Sequence, residues 1–195
     1  AYSAQKGGNG WIVGAGAGPF FIGEPGGHSG PGTGGMTAKL FADYYYFTAD
    51  PQILKEVTYP AISGVARFFS KALTDTLGHM LAYPSSSPEQ FSKLTGKPYP
   101  SVGCAFDQQM IYETFGDVLK TADILGKRDP LVRDIKKLMP RLDPVLIGKS
   151  GQVKEYREEE YYDDIVLEKH HRHISNLIGL YPGTVINSHT PQWLQ

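Results

Sequence analysis

Glu89 is the carboxylate whose setting best suits acid–base chemistry. It follows Ser85-Ser86-Ser87-Pro88 in the run Tyr83-Pro84-Ser85-Ser86-Ser87-Pro88-Glu89-Gln90, so it sits on a constrained polar loop rather than on a helix face. Serine hydroxyls there can hold a carboxylate and aim it into a cleft lined by Tyr83 and Phe91. Desolvation by such neighbours raises a carboxyl pKa toward the value a general acid needs. The same context also fits a carboxylate that caps a turn, and on the loop alone that plainer role is the stronger one.

The cluster His170-His171-Arg172-His173 offers a second chemistry. As a metal site it fails, because adjacent histidines diverge and no Cys, Asp or Glu follows at ligand spacing. Ile174, Leu177 and Leu180 continue at helical spacing and place the cluster at the N-terminus of a short helix. Cations are disfavoured at that end unless they face an anionic or hydroxyl-rich partner. A bidentate Arg beside a His suits a sugar or a carboxylate. Cys104 as a nucleophile needs a His placed as its base, and a small buried apolar residue is the plainer reading. Two cofactor motifs fail on spacing. Gly14-Ala15-Gly16-Ala17-Gly18 carries Pro19 where a dinucleotide fingerprint needs its third glycine, and Gly148-Lys149-Ser150 has Asp143 where a phosphate loop needs glycine. No cofactor and no metal is expected.

The elements that must position these groups read as helices. Thirteen of the 23 glycines fall between Gly7 and Gly35, with Pro19, Pro25 and Pro31 among them, so that region reads as a long loop or several tight turns. Met36, Leu40, Phe41, Tyr44 and Phe47 then recur at three- and four-residue spacing and predict an amphipathic helix over 35–48. Asp50-Pro51 opens the next helix, interrupted or restarted at Pro60 and continued by Ile62, Val65, Phe68 and Phe69 to Leu73. After a polar loop over 78–104, the stripe Phe106, Met110, Ile111, Phe115, Val118, Leu119, Ala122 and Leu125 predicts a strong helix ending at Gly126. Asp129-Pro130 opens another that runs to Pro140. Residues 140–170 are mostly loop, and a short helix spans 174–180. No stretch alternates with period two. The fold class is therefore all-α, helical hairpins joined by long loops, which fits an α/α toroid as well as a plain bundle.

Bulk properties bound the partners. A chain of 195 residues fits one domain, 1–195, with a real core. Its 19 basic and 20 acidic residues give a net charge of −1, so no nucleic acid and no membrane surface is expected as partner. No apolar run approaches the roughly 18–20 residues of a membrane span. A single cysteine excludes an internal disulfide framework. The 12 Tyr, 9 Phe and 2 Trp suit either a well-packed core or stacking on sugar rings, and composition does not choose.

Order along the chain does choose. The run 83–90 is followed by Ala105-Phe106-Asp107-Gln108-Gln109-Met110-Ile111, by Leu146-Ile147-Gly148-Lys149-Ser150-Gly151-Gln152-Val153-Lys154-Glu155-Tyr156, and by the segment 171–183 that begins His171-Arg172-His173 and ends Tyr181-Pro182-Gly183. This succession, together with Thr33-Gly34-Gly35 and the Tyr-rich helix leading to Asp50-Pro51, resembles glycoside hydrolase family 95, the α-L-fucosidases and related α-L-galactosidases. The resemblance covers nearly the whole chain. It implies part of an (α/α)6 barrel, an inverting exo-acting mechanism and a fucosylated oligosaccharide or glycan as substrate. The family's general acid falls on Glu89, and its sugar-contacting Arg-His pair on Arg172 and His173. Trp11 and Asp107 join them as candidate substrate contacts. Gln90 and Asn176 depart from the family's usual Asn and His.

In the family the attacking water is activated by asparagines upstream of this region and an aspartate downstream. The remainder of the catalytic domain, upstream and downstream, is therefore the expected partner, and these residues alone are not expected to turn over substrate. Two other functions stay open: a non-catalytic carbohydrate-binding α/α domain, and an α-L-galactosidase of the same fold. A secreted, periplasmic or cell-surface setting is expected over a cytoplasmic one.

Overall fold

Cap-and-proline signals start two of the helices where the sequence puts them. In the computed structural model, which describes residues 9–13, 30–161 and 172–194, helix α1 spans Thr33–Thr48. The Asp50 carboxylate then accepts the N–H groups of Gln52 at 2.7 Å and Ile53 at 3.3 Å, opening a helical turn over Pro51–Ile53. That turn passes through a π-helical stretch, Leu54–Thr58, into helix α2, Tyr59–Ala72. Pro60 thus does not break the helix, because the wider turn just before it absorbs the missing N–H. Helix α3 covers Ala105–Ile124 and is closed by Gly126 at φ +66°. The Asp129 carboxylate accepts the Val132 N–H at 3.1 Å and caps helix α4, Pro130–Leu138.

Helix α3 is the hub and packs against α1, α2 and α4. The expected stripe of α3 is buried: Ile111, Phe115 and Val118 meet Ile62, Val65, Phe68 and Phe69 of α2, and Leu131, Val132 and Ile135 of α4. Its opposite face is buried as well, although it carries Gln109, Glu113 and Asp117, and the buried Asp107 and Gln108 flank the apolar stripe. Buried polar groups must find partners. On α3 those partners are loop groups and, for Glu113 and Asp117, the Lys39 and Tyr46 side chains of α1.

Helix α1 corrects the sequence reading. Its apolar stripe points outward, with Phe47 91%, Leu40 70% and Tyr44 54% exposed. The buried face is Gly34, Gly35, Ala38, Lys39 and Ala42. Small residues let α1 approach α3 so closely that a Cβ on Gly35 would stand 2.7 Å from the Cβ of Met110. The Lys39 ammonium lies between Glu113 at 2.9 Å and Asp43 at 3.1 Å. Burial pulls its pKa down, but Asp117, Glu113 and Asp43 outweigh burial and leave it raised. Gly35→Ala is expected to force the two helices apart and to destabilise the protein by about 1–3 kcal/mol, the usual cost of overpacking. Urea denaturation of the variant beside the parent measures it, and an unchanged midpoint would contradict the close approach.

The helix-rich class holds, with one addition, because the residues after α2 form a short hairpin. Strands β1, Leu73–Thr76, and β2, His79–Ala82, pair antiparallel with Leu73 opposite Ala82. Leu77 and Gly78 make the turn, both with positive φ, as a two-residue hairpin requires. With four residues per strand there is too little length for alternation to show. The side chain of Gln108 holds this hairpin, accepting the Ala82 N–H at 2.9 Å and donating to the Met80 carbonyl at 3.2 Å.

Candidate active site

The loop that carries Glu89 begins where β2 ends and is pinned at its neck. Ser85 and Ser101 exchange backbone hydrogen bonds of 3.2 and 3.0 Å. Beneath the neck lies Asp107, in the first turn of α3 and with no exposed surface. One of its oxygens accepts the Gly32 N–H at 2.7 Å, and the other accepts the Ser85 hydroxyl at 2.5 Å. The Cys104 N–H donates in turn to that hydroxyl at 3.0 Å. Burial pushes the Asp107 carboxyl up to about 6, against the opposing pull of donors from Ser85, Gly32, Cys104 and Ser86. The glycine-rich run has a local purpose here, since a Cβ on Gly30 would stand 1.9 Å from an Asp107 oxygen. Asp107 therefore ties the start of α1 to the Glu89 loop from inside the protein.

Nearer the tip, Ser87 donates its hydroxyl to Glu155 at 2.6 Å and the Gln90 amide donates to the same carboxylate at 3.3 Å. The Pro88 carbonyl accepts the Ser175 hydroxyl at 2.8 Å. The serines thus hold the loop rather than the Glu89 carboxylate. That carboxylate faces the Arg172 guanidinium, with which it makes an ion pair, and the His173 Nε2 at 3.5 Å. Eighty-three residues separate Glu89 from Arg172. The Glu89 side chain is one-third exposed, and Tyr83 and Phe91 stand at the surface, so no closed apolar pocket surrounds the carboxylate among the described residues.

Arg172 and His173 do not sit at a helix N-terminus. The expected helix is reduced to one 3-10 turn, Ser175–Leu177, and Ile174 is 71% exposed. The reason lies on α3. Gln109 donates to the Asn176 carbonyl at 2.9 Å and accepts the Gly179 N–H at 2.6 Å, taking backbone groups that an α-helix would need for itself. Asn176 anchors the other side by donating to the Val153 carbonyl at 2.8 Å. Glu113 fixes the following stretch by accepting the N–H and the hydroxyl of Thr184, each at 2.9 Å. His170 and His171 lie outside the described residues, as does Gly14–Gly18. Among the described residues no group of three or more His, Cys, Asp or Glu is placed to hold a metal.

Of the five candidate residues, the structure brings Glu89, Arg172 and His173 together. Asp107 is sealed beneath the loop, where its geometry is that of an anchor. Trp11 lies over Gly64 of α2, donating its backbone N–H to the Gly64 carbonyl at 2.8 Å, with its side chain half exposed. Cys104 is fully buried, and burial followed by the Asp107 charge pushes its thiol well up, away from nucleophilic chemistry. The residues that sequence reasoning missed are Gln109 and Glu155. Their only signal was membership of the runs 105–111 and 146–156.

A family model described as the glycosyl hydrolase family 95 catalytic domain matches residues 3–195. Alpha-L-fucosidase 2 of Arabidopsis thaliana is 35% identical over 148 residues, covering 74% of this chain and 17% of that protein. Probable alpha-fucosidase A of Aspergillus oryzae is 37% identical over 114 residues, 57% of this chain and 15% of the relative. The Aspergillus niger protein of the same name is 32% identical over 164 residues, 81% and 20% respectively. The chain thus spans about a fifth or less of the length of these curated relatives.

Proposed function

The chain belongs to glycosyl hydrolase family 95, and on that footing we propose that it is part of the catalytic domain of an inverting exo-α-L-fucosidase with Glu89 as its general acid. The observation that carries the proposal is the convergence of Glu89 with Arg172 and His173 from the far end of the chain. A carboxyl within reach of an Arg and a His that can bind sugar hydroxyls brings a proton donor and its sugar contacts to one place, which proton delivery to a glycosidic oxygen requires. Arg172 and His173 hold the hydroxyls of the terminal fucose. A hydroxyl that takes over an arm of Arg172 leaves a Glu89 oxygen free to carry the proton it donates. Water attacks the anomeric carbon from the opposite face. In inverting enzymes the base that activates this water stands roughly 6.5–9.5 Å from the acid, and here we assign it to other parts of a longer polypeptide.

The same reading places the described helices within an (α/α)6 barrel. It is supported by the succession α1–α2–α3–α4 packed around α3, and by the outward face of α1. Met36, Leu40, Phe41, Tyr44 and Phe47 form an apolar strip on that helix, which further helices of the barrel would cover. The departures at Gln90 and Asn176 do not favour a sugar-binding domain without activity, because both side chains are engaged in holding loops.

The test uses the full-length polypeptide and 2′-fucosyllactose, with the first-formed sugar followed by proton NMR. Release of β-L-fucose is expected, since inversion converts the α-linkage to the β-anomer. First release of α-L-fucose overturns the inverting mechanism. Binding of fucose without hydrolysis overturns the enzyme reading, and preferential cleavage of an α-L-galactoside overturns the sugar assignment.

A further inference from the structure

Glu155 lies in a run with no role in the mechanism above, yet the frame around it is unusually well determined. Its carbonyl accepts the N–H of Ala105, the first residue of α3, at 2.9 Å. Its own N–H donates to the buried Glu159 carboxylate at 2.8 Å. The next residue, Tyr156, is fully buried and meets the Tyr99 ring edge-on at 4.8 Å. Val153 pairs with Ile147, which closes the hairpin-like segment leading to Glu155. The backbone at 155 is therefore fastened on both sides, and the side chain extends from a fixed point.

From that point the carboxylate reaches the two residues that flank the Pro88-Glu89 peptide. One oxygen takes the Ser87 hydroxyl and the other takes the Gln90 amide. Tyr99, packed on Tyr156, adds a third hold by donating its N–H to the Gln90 carbonyl at 3.0 Å. On the opposite side the Pro88 carbonyl is held by Ser175, which follows Arg172 and His173 by a few residues. The arch 87–90 is thus suspended between Glu155 and the segment that carries the sugar-binding pair. Only the Glu89 side chain between them is directed elsewhere, toward Arg172 and His173. Burial, followed by the Glu159 charge, pushes the Glu155 carboxyl up to about 6, and the Ser87 and Gln90 donors act in the opposite direction.

We propose that Glu155 is the positioning residue of the acid loop: its carboxylate bridges Ser87 and Gln90 and thereby sets the direction in which Glu89 presents its proton. This rests on the assignment of Glu89 as the acid. Glu155 itself touches no substrate. A truncation that lets the arch shift by about 1 Å costs on the order of a hundredfold in rate, because proton transfer depends steeply on geometry. Binding, which depends on Arg172 and His173, is affected far less.

The experiment compares Glu155→Ala, Glu155→Gln, Ser87→Ala and Glu89→Gln in the full-length enzyme. Each is assayed on 2′-fucosyllactose and on α-L-fucosyl fluoride, whose leaving group departs without a proton. For Glu155→Ala, kcat on 2′-fucosyllactose is expected to fall by about ten- to a hundredfold, with KM within about twofold and the fluoride reaction within about threefold. Glu155→Gln recovers most of the loss. Its amide oxygen still accepts from Ser87, and its NH2 can donate to the Gln90 amide oxygen once the Gln90 amide turns over, that oxygen having no hydrogen-bond partner among the described residues. Ser87→Ala removes one arm only and is expected to lose several-fold in kcat with the fold intact, so it decides the matter if Glu155→Ala does not fold. An unchanged kcat on 2′-fucosyllactose overturns the proposal, and so does an equal loss on both substrates. If Glu89→Gln cleaves 2′-fucosyllactose normally, the acid assignment itself falls, whatever the Glu155 variants do.

Discussion

Glu89→Gln in the full-length enzyme is expected to lower kcat on 2′-fucosyllactose by about a hundred- to ten-thousandfold, the range that a positioned general acid supplies. The amide has the shape of the carboxyl and leaves the loop anchors Ser85, Ser87 and Ser175 untouched. What it lacks is a proton to give to a sugar oxygen of the leaving group. KM should therefore move little, and α-L-fucosyl fluoride should still be cleaved. Steady-state kinetics on both substrates make the comparison. Near-normal turnover of 2′-fucosyllactose would remove Glu89 from the acid role and shift attention to another carboxyl of the site.

The second large effect is structural. Asp107→Ala is expected to destabilise the protein by about 3–5 kcal/mol, because it strands buried donors on Gly32 and Ser85 that have no access to water. Against a total stability of about 5–15 kcal/mol this is a severe loss. Asp107→Asn is milder, since one oxygen can still accept from Gly32. It also exposes a pH dependence. The Asp107 carboxyl is raised from 3.8 to about 6, so the folded state keeps its proton after the unfolded chain has lost its own. The resulting stability is complete below about pH 4 and is lost as pH rises through about 6, by up to about 3 kcal/mol. Glu155, raised in the same direction to about 6, adds a contribution of the same sign. Urea midpoints at pH 4.5 and pH 7 should therefore differ less in Asp107→Asn than in the parent. An equal difference in both would show that Asp107 ionises in the folded state as it does in the unfolded chain.

Helix positions were legible because their signals are local. Asp50-Pro51 and Asp129-Pro130 bring acceptor-starved helix starts and their caps within three residues of each other, and Gly126 ends α3 by a conformation that few other residues adopt. The inward face of α1 was not legible. Hydrophobic periodicity reports which face avoids water, and in α1 that face is left open, while glycine, alanine and an ion-paired lysine face the core. The short helix at 174–180 failed for a related reason. Its periodicity is real, but Gln109 takes its backbone groups from 67 residues away, and no local pattern encodes that. Glu89, Arg172 and His173, which the structure places side by side, were named as candidates because a resemblance joined runs far apart in sequence. Asp107 was found with a different role attached, since a carboxylate in a familiar run does not announce whether it faces a substrate or a seal.

Asp107, Gln108 and Gln109 are consecutive, and each grips a different piece of chain: the acid loop, the hairpin β1–β2 and the segment bearing Arg172 and His173. Successive residues on a helix diverge by about 100°, so three neighbours reach three directions from one turn. For anyone recombining such sequences, this defines the cut points. A loop of foreign origin grafted between these grips has to keep the group that each grip meets, and the Glu89 loop has also to keep its ties to Glu155 and Ser175. A single inserted residue inside the turn would instead rotate all three out of phase at once.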